Sequence, residues 1–361
     1  MPRTAKPQRG PWRRFTLKLF WALLSGSGLR PFIYALRLGL FVLAMLPGFV
    51  PYFLFYLLSP NIKRGVAYGD RWRQTLDVYL PQKPAGAPVV VFVSGGAWII
   101  GNKAWAFLMG QTLQRNGVVC VSVDYRNYPQ AAVPQMVDDV DAALRWTFEN
   151  IEAYGGDPAR VALVGQSAGA HLAALVLLRR AAAAAEAPPR GSRLGQWLAA
   201  PLPAQWVGIS GMYDMAKMLP ALRARGLGER LMRAVLGAAV DAVSPAAILS
   251  EGGGELARAL PPCAVMHGTD DQSVDVGQSR AFADALRQNG ATVDDIYFAG
   301  KSHTDPILED PLSGGPDRLM ETLLEKLDPQ PADPSGGRQL ALRNHLLPRP
   351  MLRLARYVNP F

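Results

Sequence analysis

The chain is poor in the residues that build covalent and metal frameworks: two cysteines and four histidines in 361 residues. Two cysteines make no disulfide scaffold, and neither Cys120 nor Cys263 has the paired Cys/His spacing of a zinc site. Both lie in apolar, strand-like runs, where a reduced core cysteine is expected. No metal and no cofactor is expected. Acid is missing at both ends. Residues 1–37 hold eight Lys or Arg and residues 338–361 hold five Arg, neither segment with an Asp or Glu. Because the whole chain is only +9, the body between these arms is net acidic. A nucleic-acid-binding fold normally shows a basic face in its body, so an anionic membrane surface is the expected partner of the arms. The C-terminal arm fits a solvated tail equally well. No internal repeat is present.

Leu38 to Leu58 lacks any charged residue over 21 positions, long enough as a helix to cross a hydrocarbon layer of roughly 30 Å. Tyr52 and Tyr56 near its far end suit an interfacial aromatic belt. Pro47, Gly48 and Pro51 would kink such a helix or split it, so a re-entrant hairpin competes with a single span. Phe15 to Leu24, a shorter apolar run containing Lys18, fits an interfacial helix. The reading divides the chain into a basic arm (1–37), a transmembrane or re-entrant segment (38–58), a catalytic domain (60–327), and a linker with a basic tail (328–361).

From Tyr68 onward apolar runs alternate with helical patterns, which predicts an α/β fold: a mostly parallel sheet with helices on both faces. Strands are expected at Thr75–Tyr79, Val89–Val93, Val118–Val123, Val161–Val164, Gln205–Ile209, Cys263–Met266 and Thr292–Phe298. Helices are expected at Trp105–Arg115, Pro134–Glu152, Ala168–Arg180, Gly277–Asn289 and Pro316–Leu327. Ala181 to Pro203 reads as a helix tail and a variable loop. Met212 to Leu236 is amphipathic and serves either as a lid over the site or as a crossover helix.

Gly165-Gln166-Ser167-Ala168-Gly169 falls where a predicted strand gives way to a predicted helix, the setting of a G-x-S-x-G nucleophile elbow. Alone, the pentapeptide also fits a glycine-rich turn without chemistry. A serine nucleophile needs an imidazole base, and His303 follows the last predicted strand, placed to reach the elbow from a loop. His171 lies one helical turn past Ser167, packed or solvent-facing on that helix; His267 ends a strand and is expected to shape the following loop; His345 is in the tail, outside the sheet. The acid belongs after the preceding strand, where Asp270 and Asp271 compete and Asp275 is a third choice. The chain order Ser, acid, His is that of the α/β-hydrolase fold. Ser94-Gly95-Gly96-Ala97-Trp98 ends an early strand. Its Gly95 and Gly96 amides, with that of Ala168, are candidates for an oxyanion hole, and Ala97 and Gln166 would line the reacting carbonyl.

With these residues in place the chain resembles the isoprenylcysteine α-carbonyl methylesterase family of α/β-hydrolases, from about Leu38 to Leu327. The likeness rests on Leu46-Pro47-Gly48-Phe49, Tyr68-Gly69-Asp70, Gly95 through Gly101, Asp124-Tyr125-Arg126-Asn127, Gly155-Gly156-Asp157-Pro158, Gly165 through His171, and Lys301 through Asp305. In related hydrolases the acid stands in H-G-x-x-D, which selects Asp271; the implied catalytic set is Ser167, Asp271 and His303. Ser94 stands where many related esterases carry histidine. The resemblance implies hydrolysis of the methyl ester on a C-terminal prenylated cysteine, with prenylated protein C-termini or prenylcysteine methyl esters as partners and endoplasmic reticulum or Golgi membranes as the setting. One full crossing from a cytosolic, basic N-terminus would leave the catalytic domain in the lumen, away from lipidated proteins on the cytosolic leaflet. A general carboxylesterase, an aryl formamidase, and a catalytically dead membrane adaptor are the competing readings.

Overall fold

A computed structural model describes residues 30–359 apart from 83, 186–200, 314–316 and 328–346. The expectations for Phe15 to Leu24, His345 and most of the loop before Pro203 lie outside those residues. The frame is an eight-stranded sheet: β1 (Ile62–Ala67), β2 (Thr75–Tyr79), β3 (Ala87–Val93), β4 (Val119–Val123), β5 (Gly156–Gln166), β6 (Gln205–Ile209), β7 (Cys263–Gly268) and β8 (Val293–Phe298). The spatial order is β1-β2-β4-β3-β5-β6-β7-β8. β1 and β2 pair antiparallel to each other and β2 antiparallel to β4, while every pairing from β4 to β8 is parallel.

Period-two alternation divides the core. Val89, Val91 and Val93 of β3 with Val161 and Leu163 of β5 face one side; Val90, Phe92, Ala162 and Val164 face the other. The first side is covered by α3 (Val133–Asn150), α4 (Ala168–Ala185) and α8 (Gly277–Gln288). The second is covered by α2 (Phe107–Arg115) and α10 (Arg318–Leu327). Both strand cysteines are free and buried, as core cysteines should be. Met212 to Leu236 becomes two helices, α5 (Met215–Ala224) and α6 (Glu229–Leu236), between β6 and β7; a third, α7 (Pro245–Arg258), follows, and a short α9 (Asp310–Ser313) precedes α10. β1 has no counterpart among the expected strands: Lys63-Arg64-Gly65 breaks its apolar pattern, and it pairs only as the sheet's outer strand.

The apolar segment takes one of its two expected forms, and its tyrosines depart from expectation. It forms one helix, α1 (Arg30–Leu58), that continues through Pro47 and Pro51 without reversing, so the chain makes no re-entrant hairpin. Phe41, Ala44, Met45, Gly48, Tyr52 and Tyr56 form a buried stripe at helical spacing along α2 and the elements beside it, and this packing holds the helix through both prolines. Tyr52 and Tyr56 therefore face protein rather than an interfacial belt; the Tyr56 hydroxyl donates to Asp77 Oδ2 at 2.7 Å. By length and composition Leu36–Leu58 remains able to cross a membrane. The end of the C-terminal arm is not a solvated tail either. Arg349–Val358 forms α11, which packs on α1 through Leu352 and Ala355.

Candidate active site

The candidate site is built from loops at the C-terminal edge of the parallel strands. β5 is central, so Ser167 at its end is flanked by the loops that follow β3 and β6. Ser167 has φ +54°, the strained conformation of an elbow, and its amide donates to Ile209 O at 2.8 Å. Helix α4 begins at once with Ala168, whose amide, as the first of a helix, has no intrahelical acceptor. Gly169 is required by proximity: a Cβ there would overlap the carbonyl oxygen of Val93.

The loop after β3 reaches the elbow directly. A side chain on Gly95 would meet Ser167 Cβ and Gln166 O, both at 2.9 Å. Three consecutive residues, Gly96, Ala97 and Trp98, have positive φ, and the resulting curl lets Gly96 O accept from Ile99 N at 2.9 Å and Ile100 N at 3.0 Å. Ala97 and Trp98 are not glycine, so this conformation is held from outside. Trp98 O accepts from Tyr128 N, Ser94 O from the Tyr125 hydroxyl at 3.0 Å, and Gly101 O from Asn127 Nδ2 at 2.8 Å and from Arg73. Arg73 is in turn paired with Asp124 at 2.5 Å.

The two loops after β7 and β8 bring Asp271 and His303 together. Asp271 Oδ2 accepts from His303 Nδ1 at 2.6 Å and Oδ1 accepts the amides of Ser273 and Val274 at 2.7 and 2.8 Å. Burial would raise the carboxyl pKa, but the charge of His303 and the hydrogen bonds from His267 and His303 hold it well below the usual range. With Nδ1 donating to Asp271, His303 Nε2 is the acceptor, 3.4 Å from Gln166 Nε2. Asp270 is exposed and receives Thr269 Oγ1, while Asp275 receives the Gly277 amide at the start of α8; neither meets the histidine. Among the described residues no group of His, Cys, Asp or Glu has the arrangement of a metal site.

Comparison with known proteins gives the family. The BD-FAE family matches residues 76–286. Isoprenylcysteine alpha-carbonyl methylesterase ICME of Arabidopsis thaliana is 37% identical over 341 residues, 93% of this chain and 78% of the relative. The chain belongs to the isoprenylcysteine α-carbonyl methylesterase family. A probable member from Oryza sativa subsp. japonica is 37% identical over 353 residues, 96% of this chain and 81% of its own. The propionate-bound esterase Est2 of Thermogutta terrifontis shares the fold, with a TM-score of 0.56 at 24% identity over 75% of this chain and 93% of the other.

For this methylesterase-family chain, two histidines outside the candidate triad carry structural work: His267 shapes the loop after β7, as expected, and His171 takes the packed rather than the solvent-facing position. His267 Nε2 lies 3.0 Å from Asp271 Oδ2 and its Nδ1 2.6 Å from Ser279 Oγ, bracing the acid from behind. His171 is wholly buried: Trp98 Nε1 donates to its Nδ1 at 3.2 Å, and its Nε2 donates to Val243 O at 2.7 Å. It thereby ties the strained loop after β3 to the turn before α7. The signal was present in the Gly165-to-His171 motif, but only the fold placed Trp98 beside it. Asp124-Tyr125-Arg126-Asn127 likewise proves to brace that loop, with Arg126 bidentate on buried Asp139 at 2.7 and 2.8 Å.

Proposed function

We propose that this protein is a serine carboxylesterase that cleaves the methyl ester of C-terminal isoprenylated cysteine, on endoplasmic reticulum or Golgi membranes. The observation that carries the catalytic part is the 2.6 Å Asp271–His303 pair, with His303 Nε2 3.4 Å from Gln166, the neighbour in sequence of the elbow serine. Ser167 Oγ attacks the ester carbonyl while His303 Nε2 takes its proton, and Asp271 fixes the imidazole tautomer and stabilises the imidazolium. The amides of Gly95, Gly96 and Ala168 receive the developing oxyanion, each donor worth about 2.7 to 4 kcal/mol. Ala97 and Gln166 line the carbonyl. Collapse expels methanol, protonated by His303; water then attacks the acyl-enzyme, His303 taking its proton and returning it to Ser167 Oγ as the acyl–oxygen bond breaks, and the prenylcysteine acid leaves and ionises. The substrate class follows the family, whose curated members bear the methylesterase name.

Turnover should be compared on farnesylcysteine methyl ester, a short p-nitrophenyl ester and N-formylkynurenine, with Ser167→Ala alongside. The prenylcysteine ester should have the highest kcat/KM, and a fluorophosphonate probe should label the wild type but not the variant. Preference for N-formylkynurenine would make the protein a formamidase, and preference for the short ester a general carboxylesterase. Equal labelling of folded Ser167→Ala would remove Ser167 as nucleophile.

A further inference from the structure

Among the described residues, the large apolar side chains that stand exposed fall in three places: α1, the segment after β3 (Ile100, Trp105), and α11 (Leu354, Tyr357). These elements adjoin. Phe49 of α1 meets Phe107 of α2, next to Trp105, edge to face at 5.3 Å. α11 runs antiparallel to α1, since Leu347 lies near Gly48 while Arg37 donates to Tyr357 O, Val358 O and Asn359 O, capping the carbonyl end of α11.

The packing leaves too little of α1 free to cross a bilayer with the body outside. From Arg37 to Tyr56 the helix is attached to protein, and among the described residues only Arg30–Leu36 extends beyond, about 10 Å at 1.5 Å per residue against a hydrocarbon thickness of roughly 30 Å. Sinking the attached part instead would carry Arg64, which donates to Tyr56 O and Ser59 O, and the Lys103–Asp77 pair into hydrocarbon. Uniform apolarity suits a third arrangement, in which one face of the helix meets protein and the other meets lipid.

We infer that α1 lies along the surface of one anionic leaflet, its outer face among the acyl chains, with α11 beside it adding Leu354 and Tyr357 and presenting arginines to headgroups. Arg349 and Arg353 are exposed on α11, in an arm with no acid. A second copy docked on the same face would oppose like charges across its two-fold axis, whereas an anionic leaflet complements them. The arrangement goes beyond the proposed activity and bears on how that site meets its substrate. Arg356 Nε contacts Asp305 Oδ1 at 3.2 Å and Asn359 Nδ2 donates to Thr304 Oγ1 at 2.9 Å, so the helix at the lipid surface is fastened to the two residues after His303. It also removes the topological conflict, because the catalytic domain and both ends of α1 stay on one side.

The test uses the full chain bound to the outside of sealed phosphatidylserine/phosphatidylcholine vesicles, with Ser27→Cys and Lys63→Cys made separately and treated with a membrane-impermeant maleimide. Buried Cys120 and Cys263 should stay silent. Both new thiols should label from outside without detergent. A second variant, Leu43→Asp with Leu54→Asp on the outer face, should keep short-ester hydrolysis while binding vesicles about tenfold more weakly or worse. Labelling from opposite sides, unchanged vesicle binding, or lipid-independent dimers cross-linked through Leu43→Cys would each overturn the in-plane arrangement. Opposite-side labelling with hydrolysis intact leaves the esterase reading standing; loss of all ester hydrolysis in the wild type defeats that reading whatever the labelling shows.

Discussion

Replacing His171 by glutamine should remove a large part of the protein's sensitivity to acid. The imidazole is wholly buried, and burial pushes its pKa down to about 4 against the raising effect of its bond to Val243 O. An unfolded histidine takes up a proton below about 6.5, whereas the folded one does so only near 4. In that window the unfolded state binds more protons, so stability falls as pH drops from about 6.5 to about 4. Linkage puts the loss at about 2 kcal/mol between pH 7.5 and 5, approaching about 3 kcal/mol below pH 4. Glutamine can still reach Trp98 and Val243 O but does not titrate. At pH 7.5 the variant should be less stable by about 1 to 2 kcal/mol through imperfect hydrogen bonds. The assay is urea unfolding in detergent, followed by tryptophan fluorescence at both pH values. Buried acids contribute with the opposite sign, so the informative quantity is the difference between wild type and variant, which should shrink or reverse at pH 5. An equal loss of stability in both proteins would refute the buried neutral imidazole.

Asp271→Asn should lower kcat by about 10⁴, because an amide cannot accept from His303 Nδ1 with its nitrogen and no longer stabilises the imidazolium; Asp270→Asn, at an exposed turn, should stay within threefold of wild type. Comparable turnover in the two folded variants would transfer or dissolve the role given to Asp271. Glu309 is buried with its pKa raised to about 8 by burial and by Asp305, and its Oε2 has no hydrogen-bond partner among the described residues. The unfolded carboxyl ionises near 4.5, so stability falls as pH rises from there towards 8. Glu309→Gln should therefore raise Tm at pH 8 and lose that advantage near pH 4.5, as thermal scans at the two pH values would show; an advantage that grows towards acid would contradict the assignment.

Legibility followed the range of the forces involved. Strand-to-helix alternation from Thr75 onward and the apolar runs of β3 to β7 are local patterns, and the elements formed within a few residues of their expected bounds. The elbow was legible because Gly169 answers to one close approach and Ser167 to one backbone angle, both encoded within five residues. β1 was not, because an edge strand with Lys63 and Arg64 owes its pairing to its neighbour rather than to its own pattern.

By itself the sequence determined the α/β class, the chain order of the candidate serine, acid and histidine, and an apolar helix ahead of the domain, each resting on short-range periodicity or motif spacing. Only the tertiary structure decided between Asp270 and Asp271 on physical grounds, since adjacent residues in a turn point different ways and just one receives the imidazole. It alone gave His171 and His267 their neighbours, across 73 and 12 positions of chain. Hydropathy likewise could not tell a spanning helix from one laid along its own domain, because hydropathy reports what a side chain avoids and not which protein surface shelters it. The stripe from Phe41 to Tyr56 and the grip of Arg37 on α11 are contacts over long chain separations, made only once the sheet has brought α2 and the last helix to the same side.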